Sequence, residues 1–405
     1  LFGKLHLTPQ EYTRDHLSPT HAIADAAPFL EAAGLPPMPD DPVKRNYGFQ
    51  HVVHHEDALW GQYAEWLASR DPRLASKLDG NRFDSDVWQS SGNPALPDIG
   101  PLKIDPQLHP SWFVADSAAE YFRQHAAEGP CFMQVSFVDP HHPFDPPDEV
   151  LRDYPADDMP LPRCRDSGNV DWPASLRERS NARPRHAFDA VDDDHTRLTI
   201  ACYYAMIDQI DRSVGHLLDT IDAMGQMDNT VFVFVADHGE LLGDYGLWRK
   251  GSYHYDCLIR VPGFISYPRA LPAARIGELV QSIDLAPTVL RLAGLEVPAA
   301  MQGRDLAPSL ASGESVGLDH IWCELFTTWW GPFVNCWTVR TPTAKLNWYP
   351  DDRVGHLFDL VNDPLEQRDL FADAGHRTLR DEMTATMLQS ISGQKDPIPR
   401  VLSQY

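Results

Sequence analysis

The chain has 405 residues, 43% of them hydrophobic, and carries a formal net charge of −24. That length and apolar content suit one large folded domain with a smaller one attached, and the acidity argues against a nucleic-acid backbone as partner, which calls for a basic surface. No apolar run is longer than a strand, so no membrane span is expected, and the six cysteines (Cys131, Cys164, Cys202, Cys257, Cys323, Cys336) form no CxxC pair and no zinc-like spacing.

In chain order, the sequence opens Leu1-Phe2-Gly3-Lys4-Leu5-His6-Leu7 without a methionine, and the start of the gene product is expected upstream. Period two puts Lys4 and His6 on one side of an extended segment. His51, His54, His55, Glu56 and Asp57 have no recognisable ligand spacing and read as a solvated loop rather than a metal site. Residues 112–128 have helical spacing and stop at Gly129-Pro130. Residues 131–138 read as an apolar strand running into Asp139-Pro140-His141-His142-Pro143. Cys131 and Cys202 sit in apolar contexts and read as buried thiols.

Residues 139–194, rich in proline and charge, read as long loops of the kind that roof an active site. Residues 192–225 form an amphipathic helix that starts acidic, as the helix dipole prefers. A second apolar strand, 230–236, ends at Asp237-His238-Gly239. If it and strand 131–138 are parallel neighbours, their C-terminal ends meet in one crevice. Residues 280–292 read as a helix with Pro287 in an early turn or at a kink. Beyond Gly313 the pattern changes to short strands at 320–326, 334–341, 344–349 and 355–360, a small antiparallel sheet closed by a helix near 376–390. The tryptophans and phenylalanines of this region read mostly as core, with the loop 327–332 as a candidate sugar-stacking platform. The expected division is a main α/β domain over 1–313 and a C-terminal subdomain over 314–405.

The chemistry gathers at strand ends. Asp237 and His238 offer one hard oxygen and one imidazole, a pair able to hold a divalent cation, although such a pair is as readily a cap beside a partly exposed histidine. His141 follows a buried strand and is either a backbone-bonded loop histidine or functional. Lys250, between Arg249 and Gly251, is either a solvated loop lysine or a cation aimed at a tetrahedral oxyanion. His254, four residues on, is placed near the same pocket.

Together these segments resemble the formylglycine sulfatases of the alkaline phosphatase superfamily. Gly3-Lys4-Leu5-His6-Leu7 resembles their GK.HL segment, and Ser136-Phe137 with Pro140-His141-His142-Pro143-Phe144 their SF..PH.PF segment. Ala236-Asp237-His238-Gly239-Glu240, Leu242-Gly243-Asp244 and Leu247-Trp248-Arg249-Lys250-Gly251 match the DHGE.LGD.GLW.KG block. Asp284-Leu285-Ala286-Pro287-Thr288 resembles DLAPT, and 355–366 the GELYDL..DP.E ending. The resemblance implies an α/β sandwich with a central, mostly parallel sheet and a small C-terminal antiparallel sheet. It also implies hydrolysis of a sulfate ester, on a sulfated carbohydrate or an aryl group, at a divalent cation, usually Ca2+. Carried over residue by residue, Asp237 and His238 are metal ligands and Lys250 binds the sulfate. His141 assists the leaving group, Lys4 holds the nucleophile's oxygen and the sulfate, and His6 is the base that breaks down the sulfo-enzyme.

The chain departs from the family at the nucleophile. Formylglycine arises from cysteine in C-x-[P/A]-x-R, and no cysteine here stands in that pattern: Cys336-Trp337-Thr338-Val339-Arg340 has threonine third and lies in the C-terminal sheet. A serine version is absent, as is the first strand with its paired aspartates. The expectation is the C-terminal greater part of a sulfatase-like enzyme that does not turn over sulfate esters alone. Its partners would then include a separate chain carrying the N-terminal part, or a second copy. A phosphonate monoester or phosphodiester hydrolase, and a remnant that binds without catalysis, are the alternatives.

Overall fold

The computed structural model describes residues 2–3, 49–55, 59–79, 82–165, 170–176, 191–315, 317–327 and 334–393. It divides into two compact units, Leu1–Leu161 with Val191–Met227, and Pro162–Ala190 with Asp228–Tyr405.

The first unit holds a parallel sheet in which β1 (Phe2–Gly3) lies between β2 (Val53–His54) and β5 (Val135–Ser136), with Phe2 opposite both Val53 and Val135. A short antiparallel pair, β3 (Leu78–Asp79) and β4 (Arg82–Phe83), follows helix α1 (Gln62–Arg70). Helix α2 (Pro110–His125) starts on two strong signals: Pro110 at its first position and the ring of His109 accepting from Ser111 N as N-cap. Its buried face, Phe113, Val114, Ala118 and Ala119, has the spacing of one helical stripe. That stripe joins Tyr63, Leu67, Phe83, Leu102, Leu217 and Ile221 in the unit's core. Helix α3 (Asp193–Ala223) is capped by Asp192, which accepts from His195 N at 2.8 Å, and Asp193 and Asp194 lie in its first turn as the dipole argument expects.

Three expectations fail here. The strand over 131–138 shortens to Val135–Ser136, because Pro130 supplies no N–H and Phe132 is 70% exposed, so 131–134 joins no ladder. Cys131 is accordingly exposed, whereas Cys202 is buried as read. His54 and His55 are not in a solvated loop either. His54 belongs to β2, and His55 is buried between Tyr63 and Phe113, whose rings pack against its own. Glu56 and Asp57 lie outside the described residues.

In the second unit β6 (Phe232–Val235) pairs antiparallel with β7 (Gly263–Ser266), and among the described strands it has no ladder with β5. Helix α4 (Leu285–Leu292) follows a single 3-10 turn, and Pro287 falls in its first turn, where no N–H is needed. The C-terminal sheet runs in the order β11-β10-β9-β8 and is antiparallel throughout, with β8 at Ile321–Thr327, β9 at Val334–Arg340, β10 at Ala344–Tyr349 and β11 at Val354–Asp359. Helix α5 (Arg377–Gly393) closes it, with Met383 and Met387 packing on Val339, Leu346 and Leu357. Residues 328–333, which include all but the first residue of the candidate sugar-stacking platform at 327–332, lie outside the described residues. Among the described residues no helix is long and apolar enough to cross a membrane.

Candidate active site

Strand β6 delivers Asp237 and His238 just past its C-terminal end. Gly239 comes next for a steric reason: a Cβ there would lie 1.9 Å from the carbonyl oxygen of Cys257, and the Gly239 N–H donates to Leu258 O at 2.8 Å. The following turn is held in left-handed conformations at Leu242, Tyr245 and Arg249, with φ of 47°, 57° and 66°. Such residues persist only where the surroundings over-determine them. Here Tyr245 stacks on Tyr255 at 3.7 Å and donates its hydroxyl to Leu365 O, while Leu241 N donates to Arg249 O. The product of that constraint is Lys250, whose Nζ lies 3.2 Å from His238 Nε2.

The histidine's tautomer follows from its neighbours. Its Nδ1 faces Gly239 O at 2.8 Å, and a carbonyl can only accept, so the proton is on Nδ1 and the lone pair on Nε2. That lone pair meets the Lys250 ammonium, with Asp237 Oδ2 at 3.5 Å. Asp237 is 84% exposed and also accepts from His238 N. The ammonium is thus held against one imidazole lone pair, and a carboxylate oxygen lies 3.5 Å from that same nitrogen; imidazole nitrogen and carboxylate oxygen are donors a divalent cation accepts. Two donors are fewer than such an ion takes, and among the described residues no group of three His, Cys, Asp or Glu side chains gathers to hold one. Glu240, next in sequence, has its pKa pushed up to about 7 by burial, against a weaker opposing hydrogen bond from Leu242 N.

His141 stands in the first unit, past β5. Its N–H donates to Val138 O at 3.1 Å and its ring stacks on His142 at 4.0 Å. Its Nδ1 faces His142 O at 2.8 Å, a carbonyl that accepts the Nδ1 proton. The turn is pinned from α2, since Ser111 Oγ donates to Asp139 Oδ2 and His109 Nδ1 lies 3.5 Å from the same oxygen. His141 lines a cavity of about 50 Å³ with His55, Arg82, Trp88, His109 and Asp145. Burial holds the pKa of His109 below its usual value, and burial together with the Asp139 charge raises that of Asp145 well above its own.

The structure therefore brings Asp237, His238 and Lys250 together and sets His141 at the head of a parallel strand. Lys4 and His6 lie outside the described residues. His254 is not beside Lys250's ammonium: it is buried, with Nδ1 2.7 Å from Thr338 Oγ1 on β9, and burial lowers its pKa to about 4.

A family model described as Sulfatase matches residues 41–295, well over half of the chain. The chain belongs to the sulfatase family. A second model, the C-terminal part of N-sulphoglucosamine sulphohydrolase, matches residues 243–393 and so covers the C-terminal sheet of this sulfatase. Its relatives include an arylsulfatase of Clostridium perfringens, 27% identical over 372 residues, which cover 88% of this chain and 74% of that protein. The multifunctional alkaline phosphatase superfamily protein PehA of Trinickia caryophylli is 30% identical over 281 residues, 66% of this chain and 53% of its own length. The chain thus spans from about half to three quarters of these relatives. Among solved structures, the phosphonate monoester hydrolase of Agrobacterium radiobacter superposes with a TM-score of 0.68 at 22% identity, over 88% of this chain and 74% of that one, a likeness of fold.

Around His141 stand residues that sequence reasoning passed over: His109, Ser111 and Asp139 pin its turn, and Asp145 lines the same cavity. The one local signal was His109-Pro110-Ser111 opening a helix, a cap arrangement; its link to Asp139 spans 28 residues and has no local signature.

Proposed function

We propose that this chain contributes the cation-binding and anion-binding residues of a sulfuric ester hydrolase. The observation that carries the reading is the convergence of Asp237, His238 and Lys250 at the end of β6, with Lys250 Nζ 3.2 Å from His238 Nε2. A divalent cation held by Asp237 and His238 supplies charge neutralisation for the ester's non-bridging oxygens. Ca2+ is the expected ion, and the imidazole also admits Mn2+ or Zn2+. Lys250 binds the same monoanion as a fixed ammonium. His141, as the imidazolium that keeps its Nδ1 proton on His142 O, gives its Nε2 proton to the alcohol oxygen as the S–O bond breaks and is left neutral. The formylglycine nucleophile, and the roles of Lys4 and His6, complete the proposal; none of the 405 residues lies in C-x-[P/A]-x-R, so the nucleophile is assigned to polypeptide beyond them. A sulfated saccharide or an aryl sulfate is the proposed substrate.

Phosphonate monoester hydrolysis is the second reading. Sulfate monoesters and phosphonate monoesters are both tetrahedral monoanions, so one lysine and one cation serve either. Calorimetric titration of the chain with Ca2+, Mn2+ and sulfate tests the core of the proposal. Asp237→Asn is expected to weaken cation binding by about tenfold or more, and to weaken sulfate binding only when the cation is present. Cation and sulfate affinities that ignore this substitution overturn the proposal. The chain joined to a formylglycine-bearing segment, compared on 4-nitrophenyl sulfate and 4-nitrophenyl phenylphosphonate, separates the two ester classes.

A further inference from the structure

Lys345 is wholly buried in the middle of the C-terminal sheet, where β10 places it opposite Arg340 on β9 and Phe358 on β11. Its ammonium donates to the carbonyl of His254 at 2.7 Å and to Asp256 Oδ1 at 3.1 Å, and pairs with the carboxylate of Glu366. Glu366 is itself fully buried, and its Oε2 accepts from Asp256 N at 2.6 Å. Asp256 is bridged in turn by the Arg340 guanidinium at 3.0–3.2 Å. Glu366 adopts φ of +52°, a left-handed conformation that a non-glycine residue keeps only under constraint.

A buried ion pair adds little net stability, and apolar residues of similar volume would fill the same space. Apolar residues could not, however, make directed bonds to the main chain of residues 254 and 256. Those bonds fix one end of segment 249–258. The other end is fixed by Leu241 N to Arg249 O at 3.0 Å, and Gly239 N to Leu258 O ties the segment to the carboxylate–imidazole turn. His254 adds a side-chain bond to Thr338 at 2.7 Å on the way. Lys250 lies in this doubly anchored segment, directly after the left-handed Arg249.

We infer that Lys345, Glu366 and Asp256 are positioning residues: a buried ionic clamp through which the C-terminal sheet holds the loop that presents Lys250 to His238. The inference rests on the reading of Lys250 as the anion-binding lysine only for its functional meaning. The clamp itself is testable without it. The double variant Lys345→Met, Glu366→Gln removes both buried charges at similar volume, and Lys345→Arg retains the cation. Hydrogen exchange over 249–258, with α2 as internal reference, and the acylation rate of the Lys250 amine relative to the other lysines are measured on the full chain. The double variant is expected to exchange about tenfold faster over 249–258 with α2 unchanged, and to acylate Lys250 at a rate altered at least about threefold. Lys345→Arg is expected to restore both in part. A folded double variant with wild-type protection and wild-type Lys250 reactivity overturns the clamp. If the double variant does not fold, Glu366→Gln alone is read by the same two measurements, and wild-type values there overturn it equally. Sulfate titration of Lys250→Ala separates the two ideas: unchanged sulfate affinity in that variant, with a loosened loop in the clamp variants, removes the anion-binding role and leaves the clamp standing.

Discussion

Lys250 and His238 are two cation-type groups whose ring nitrogen and ammonium lie 3.2 Å apart, and only a neutral imidazole tolerates that neighbour. The Gly239 carbonyl, by taking the Nδ1 proton, keeps the lone pair where the ammonium can donate into it. An ammonium–oxyanion hydrogen bond contributes about 1.5–3 kcal/mol, so Lys250→Ala is expected to weaken sulfate binding by roughly ten- to a hundredfold. Lys250→Arg should not restore it, because a planar fork does not place its charge where a compact ammonium does. Titration calorimetry at fixed ionic strength checks both. His254 makes a separate prediction about stability. Burial lowers its pKa to about 4 from the usual 6.5, so the fold favours the neutral ring. That contribution is complete above pH 6.5 and is lost as pH falls towards 4, and its full size is about 3 kcal/mol. In His254→Gln the loss is absent. The gap in unfolding free energy between wild type and variant, measured by urea titration, should therefore shrink by about that amount between pH 7 and pH 4.

At the scale of the element, the turn after β6 depends on one missing side chain. Gly239→Ala puts a methyl 1.9 Å from Cys257 O, and backbone, not a flexible side chain, has to yield. The expected cost is on the order of 3 kcal/mol, read as a fall in urea midpoint, together with faster exchange at 249–258. What could be read of the elements beforehand divides along physical lines. Helices α2, α3 and α5 and the four C-terminal strands were legible because period and punctuation agree: helical spacing runs over 112–128 up to Gly129-Pro130, the helix from 192 starts acidic, and Thr341-Pro342 separates β9 from β10. Strand 131–138 was not, because apolar composition says nothing about whether a ladder partner is present. His54 and His55 were misread as solvated for the converse reason, since a polar run shows nothing of the Tyr63 and Phe113 rings that enclose His55. Lys345 carried no warning either: one lysine in a strand reads as solvent-facing until Asp256 and Glu366, far off in sequence, arrive beside it.

Across the whole molecule, the sulfatase family was legible from its motifs, and the contacts that support the candidate residues were not, because Ser111–Asp139 and Lys345–Asp256 join distant segments. The cysteines decide the chain's chemistry at this scale. Five of the six are buried or half-buried. Burial pushes the thiols of Cys164, Cys202 and Cys336 up to about 12, and those of Cys257 and Cys323 upward as well. Exposed Cys131 is raised too, by partial desolvation. A thiol held protonated at neutral pH is neither a nucleophile itself nor, outside the C-x-[P/A]-x-R pattern, a source of one. The 405-residue chain, loaded with Ca2+ or Mn2+, is therefore expected to bind sulfate and to leave 4-nitrophenyl sulfate intact at neutral pH. Supplying the formylglycine-bearing segment should create turnover that is lost with Lys250→Ala. It should also fall by about 10²–10⁴ with His141→Gln, more for alcohols of high pKa than for nitrophenol, since only a poor leaving group needs the proton. Turnover by the isolated chain that survives alkylation of all six cysteines would show that some other group among these residues attacks the ester.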